Sequence, residues 1–132
     1  MTDDELFSQF ADLSLPASQF RHREHVRLAF VVLARHGDFG DAAIGYRRML
    51  RAFAVHNGAP GKYHETITWA YLALVHARMA GHADSESMIA ANPDLLDHRN
   101  GALARYYDIP AVTADPVARA VFVLPDPRHT GA

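Results

Sequence analysis

Two short segments carry the side chains best suited to chemistry. Phe20-Arg21-His22-Arg23-Glu24-His25-Val26 sets two imidazoles three residues apart, and Lys62-Tyr63-His64-Glu65-Thr66-Ile67-Thr68 adds a third. On a helix, the Cβ atoms of His22 and His25 would lie about 5–6 Å apart. His22 continues the line Val26, Ala29, Leu33; His25 continues Leu28, Ala29, Val32; His64 continues Ile67, Tyr71, Leu74. All three rings therefore lean toward packed faces. Three neutral imidazoles can hold a divalent ion, with nitrogen at about 2.0–2.1 Å and one position open for water or substrate. Zinc, iron and copper all accept such a set, and the set does not choose among them. In a hydrolytic site the ion would activate water.

The neighbours of these histidines suit the same site. Helix starts carry positive partial charge, which disfavours imidazolium and keeps the rings neutral. The first turn also offers free N–H groups to an anionic ligand, and Arg21, Arg23 and Lys62 would add to that attraction. Glu65 and Glu24 are expected to fix histidine tautomers from outside the ligand set. Tyr63, Thr68 and Tyr106, with Tyr107, are expected as polar wall residues. The spacing itself carries little weight: His64-Glu65 is followed by Thr66, Ile67 and Thr68, which is not the His-Glu-x-x-His zinc-protease pattern. The bland alternative is helix-end rings bonded to backbone or water. His36, His56, His76 and His82 fit that alternative, near helix ends or on wetter faces.

The elements that would position these rings follow from apolar spacing. Leu6, Phe7, Phe10 and Leu13 predict a helix over 3–13, started by Thr2 or Asp3 and ended at Leu15-Pro16. A second helix begins between Gln19 and Arg23, with Ser18 as N-cap, and runs to His36; it is apolar nearly all round and hence buried. A third runs over 41–56 with one apolar stripe and a basic side of Arg47, Arg48 and Arg51, read as a solvated face. Asn57-Gly58 and Ala59-Pro60-Gly61 form a turn, and a fourth apolar helix covers 62–80. Shorter pieces follow: a helix to Ala91, a restart at Pro93, a helix over 97–107 that Pro110 breaks, and a turn after Asp115-Pro116. Phe122 to Pro127 reads as an extended strap. The fold expected is all-α: a single-domain antiparallel helical bundle over 1–132 with an irregular C-terminal third. Short loops make the second and fourth helices point the same way, so His22, His25 and His64 meet at one end.

Composition narrows the classes. No cysteine excludes disulfides and thiolate sites. Thirteen basic and fifteen acidic residues leave a net charge of −2, so no nucleic-acid partner is indicated. No apolar run approaches the ~20 residues of a membrane helix, and the acidic start Met-Thr-Asp-Asp-Glu lacks signal-peptide character. A cytoplasmic protein is expected. No phosphate loop or dinucleotide fingerprint occurs.

The chain resembles a family of small uncharacterised bacterial all-helical proteins. The resemblance rests on Phe20-x-His22-x-x-His25-Val26-x-Leu28-Ala29, Lys62-Tyr63-His64-Glu65-Thr66-Ile67-Thr68, Ala91-Asn92-Pro93-Asp94-Leu95-Leu96, Arg105-Tyr106-Tyr107 and Phe122-Val123-Leu124-Pro125-Asp126. It implies the helical fold and the three histidines but no reaction, and it leads one to expect serine where Asp108 stands. Three functions remain open: a metal-binding protein or metal-dependent enzyme with His22, His25 and His64 as ligands; a metal-free pocket for a small anionic or aromatic ligand; and a helical interaction module with structural histidines.

Overall fold

The computed structural model describes residues 1–130, whose regular elements are all helices with no strand among them. Helix α1 (Asp3–Ala11) begins with a reciprocal cap. Thr2 Oγ1 accepts the Glu5 N–H at 3.1 Å and the Glu5 carboxylate accepts the Thr2 N–H at 3.2 Å. Helices α2 (His22–Arg35), α3 (Phe39–His56) and α4 (Glu65–Arg78) form the bundle. The middle element is α2, packed against α1, α3, α4 and the short α5 (Ser85–Ala91). Every residue of α2 from Val26 to Leu33 is buried, as a helix apolar on all sides requires. Arg27 lies within that run. Its guanidinium donates to Ser85 Oγ (3.0 Å), to the Asp3 carboxylate (3.1 Å) and to the Met1 carbonyl (2.7 Å), so the buried charge is paired and bonded. Helix α3 is one-sided: Ala43, Tyr46, Leu50 and Phe53 are buried while Arg48 and Arg51 are exposed.

The C-terminal third adds 3-10 turns over Pro93–Leu96 and Leu103–Arg105, then α6 (Ile109–Ala114) and α7 (Pro116–Ala120). Tyr71 of α4 joins Leu103, Tyr107, Ile109, Val112 and Ala118 in a second core that closes the far side of that helix. The extended strap after α7 lies across it. Thr66, fully buried, bonds the Ala118 and Val121 carbonyls through its hydroxyl (2.7 and 2.9 Å) and accepts the Val123 N–H (3.0 Å); the Tyr107 hydroxyl donates to the Val123 carbonyl (2.7 Å).

Several expected boundaries are corrected. No helix spans 97–107, because the Asp97 carboxylate takes the N–H groups of Arg99 and Asn100 (3.1 and 2.9 Å) in a turn of its own. Gly101 then packs so tightly that a Cβ there would lie 2.1 Å from the Asp94 carbonyl oxygen. Pro110 does not end a helix; it sits in the first turn of α6, where its missing N–H costs nothing. Asp108 caps that helix by accepting the Ala111 N–H at 3.0 Å, a role open equally to the serine the resemblance expects there. The cap of α2 is Arg21 rather than Ser18, and Glu24 accepts the Arg21 N–H at 3.2 Å. Helix α4 starts three residues later than expected, because Pro60–Lys62 forms a 3-10 turn and His64 is the cap. Among the described residues no helix is long and apolar enough to cross a membrane.

Candidate functional site: a cavity walled by imidazoles

One cavity of about 540 Å³ lies where three helix ends meet. Its wall takes His22 and His25 from the start of α2, His64, Ile67 and Thr68 from the start of α4, and Phe53, Ala54 and Asn57 from the end of α3. The up-down-up order of the bundle produces this meeting, as the short loops imply. Phe20, Tyr46 and Leu50 make the inner wall largely apolar.

The rings do not play equal parts. His64 is 7% exposed, and both of its nitrogens are engaged within the protein. Nδ1 accepts the Ile67 N–H at 3.2 Å, capping α4, and Nε2–H donates to the Val112 carbonyl at 2.8 Å. That carbonyl belongs to the last turn of α6, which has no partner within its own helix. His64 therefore ties the start of one helix to the end of another. Burial, with the nearby Arg119 charge, holds its pKa below the ordinary value despite the Val112 bond. A metal would have to displace one of its two bonds.

His98, on the Asp97 turn, occupies the place expected of His64. Its Nδ1 lies 3.2 Å from the Tyr71 hydroxyl, and its ring centroid is 5.2 Å from that of His22. His22 in turn meets the Tyr71 ring edge at 4.9 Å and donates Nε2–H to the Leu95 carbonyl at 2.8 Å, which leaves its Nδ1 as the acceptor. His25 packs against Phe20 in a tilted pair with centroids 3.9 Å apart, and its pKa is pushed down to about 3 by burial, then by His22 and His98. Burial also lowers His22 and His98, and it raises the Tyr71 hydroxyl well above the usual phenol range. The cluster is thus neutral near pH 7: three imidazoles and a phenol that donate or accept hydrogen bonds without net charge.

The expected wall residues divide. Tyr63 and Thr68 line the cavity, whereas Tyr106 is 49% exposed and lies outside its lining. Glu65 faces away from the rings. It accepts the Tyr63 hydroxyl and the Arg47 Nε–H (3.0 Å), and these bonds hold its carboxyl below the usual range although burial pushes it up. Arg23 pairs with Glu86, which removes it from an anion site at α2; Lys62 stays at the cavity wall. No periodicity marks His98, since it sits on a turn. Its only sequence signal is the local Asp97…Gly101 turn chemistry, which the reading of a helix over 97–107 concealed. Among the described residues no group of three or more histidine, aspartate or glutamate side chains is arranged to hold a metal ion. No protein-family model, no curated protein and no solved structure matches the chain.

Proposed function

We propose that this protein binds a small, largely apolar organic molecule in the cavity at the start of α2 and α4. His22, His98 and Tyr71 would engage its polar group as uncharged partners. The observation that carries this reading is one concave space of about 540 Å³ whose polar wall is a group of desolvated imidazoles. That size and composition suit a drug-sized ligand. Rings with lowered pKa are unprotonated near pH 7, so they meet the ligand as neutral hydrogen-bond donors and acceptors. The cysteine-free sequence suits the reducing cytoplasm, where we expect the protein to act.

The test uses indole, benzimidazole and benzoate as probes in thermal-shift and NMR titrations of protein purified without nickel, with and without chelator. Saturable stabilisation that survives EDTA and weakens in His98→Ala and Tyr71→Phe is the expected result. Stoichiometric zinc, iron or copper whose removal abolishes probe binding would restore the metal reading with His22, His25 and His64 as its first ligands. Binding by none of the probes, with unchanged behaviour of both variants, would favour the interaction module.

A further inference from the structure

A second concavity, of about 330 Å³, adjoins the first, and Tyr63 and Arg119 line both. Its remaining wall comes mainly from Arg47, Arg51 and Val55 on α3 and from the Pro60–Gly61 backbone. Three guanidinium groups thus face one small space. A single carboxylate compensates them: Glu65, held by Arg47 at 3.0 Å. Arg51 and Arg119 have no carboxylate within ion-pair distance among the described residues.

The donors of these two arginines are differently committed. Arg119 spends Nη1 on the Gly61 and Tyr63 carbonyls (2.8 and 3.3 Å) and Nη2 on the Thr113 carbonyl (3.1 Å). It is fixed in place by neutral acceptors, so its charge is positioned but not neutralised, and its Nε–H is unspent. Arg51 makes only a cation–π approach to the Tyr63 ring at 5.7 Å, which leaves its whole donor fork available. Two positive groups held around one depression repel each other until an anion arrives. A planar or tetrahedral oxyanion is the natural partner, since guanidinium meets its oxygens with paired, charge-assisted hydrogen bonds.

We infer that this depression is an oxyanion site, built by an Arg119 bonded to backbone carbonyls and an Arg51 with no hydrogen-bond partner among the described residues, that takes a phosphate or carboxylate group. The site stands whether or not the imidazole cavity binds an apolar ligand. A compound carrying both an apolar body and an acid group would engage the two spaces across Tyr63 and Arg119.

The experiment titrates the full chain with inorganic phosphate, pyrophosphate and acetate at constant ionic strength, read by calorimetry and by the Arg Nε–H and Gly61 amide NMR signals. Arg51→Gln is compared with Arg48→Gln, which removes the same charge from an exposed position on the same helix that does not line the depression. Both residues are exposed, so both variants are expected to fold, and circular dichroism checks it. Saturable binding that weakens about tenfold in Arg51→Gln and less than about twofold in Arg48→Gln is the expected result, the loss of one charge-assisted contact. The acetate and phosphate arms tell a carboxylate site from a phosphate site. Equal weakening in both variants would mean diffuse attraction only, and absence of saturable binding to any of the three anions overturns the site.

Discussion

Replacing His64 tests whether this ring is a structural tie or a ligand kept in reserve. Asparagine can still cap α4 by accepting the Ile67 N–H, but it is too short to reach the Val112 carbonyl. His64→Asn therefore strands one buried acceptor at the end of α6, a cost of about 2 kcal/mol within the usual range for an unpaired buried group. His64→Ala strands the same carbonyl and also loses the cap, worth about 1 kcal/mol more. For a domain of this size each kcal/mol corresponds to about 4 °C in Tm, so the expected losses are about 8 °C and about 12 °C. Thermal and urea unfolding followed by circular dichroism at pH 7.5 would measure both. A His64→Ala variant that melts within about 2 °C of the parent would refute the structural tie, since a buried and a part-buried hydrogen bond cannot vanish so cheaply. Zinc that raises the Tm of the parent by several degrees but not that of His64→Ala would refute it differently. That result would show the ring releasing one of its bonds to take a metal.

Three further outcomes follow from the same geometry. Gly101→Ala should destabilise by more than about 2 kcal/mol and weaken probe binding, because its Cβ would overlap the Asp94 carbonyl and displace the turn that carries His98; urea midpoints and probe titrations check this. Thr66→Val removes the hydroxyl that bonds two carbonyls and one N–H of the strap region, and should cost about 1–3 kcal/mol, read by urea unfolding together with faster amide exchange at Val123. Stability should fall with acid. The folded-state pKa values of His22, His25, His64 and His98 lie below 6.5, so the unfolded chain binds protons first as pH drops below about 6.5. His25, pushed to about 3, contributes a loss approaching about 1.4 kcal/mol per pH unit down to that value, and the more accessible rings add less. Equal urea midpoints at pH 7.5 and 5.5, or an NMR titration of His25 centred near 6.5, would contradict this.

The four long helices were legible because their signals are periodic and local. The all-round apolar run of α2, the single stripe of α3 and the Gly and Pro punctuation after each helix all appear in the structure. From these and from loop length came the meeting of two helix starts, hence a cavity edged by His22, His25 and His64. What the spacing could not supply was the direction of the third ring. The line through Ile67, Tyr71 and Leu74 assumes that His64 is already inside the helix. It is instead the cap, with extended backbone angles, so its ring turns back over the first turn and meets Ile67 N–H. The C-terminal third resisted reading for a related reason. Asp97, Gly101 and Asp108 act through one or two side chain–backbone bonds or a close backbone approach, and such contacts leave no repeating pattern in sequence.

The same logic explains why His98 rather than His64 completes the imidazole cluster. A ring on a helix cap is needed by that helix: its acceptor nitrogen satisfies an orphan N–H, and here its donor satisfies an orphan carbonyl of α6. A ring on a turn already closed by Asp97 and Gly101 has no such duty, and the Tyr71 hydroxyl meets only one of its nitrogens. Its other nitrogen remains available, as does Nδ1 of His22. Under the proposed function the ligand would meet the ring nitrogens without a protein partner among the described residues, Nδ1 of His22 and the second nitrogen of His98, while both nitrogens of His64 are spent tying α4 to α6.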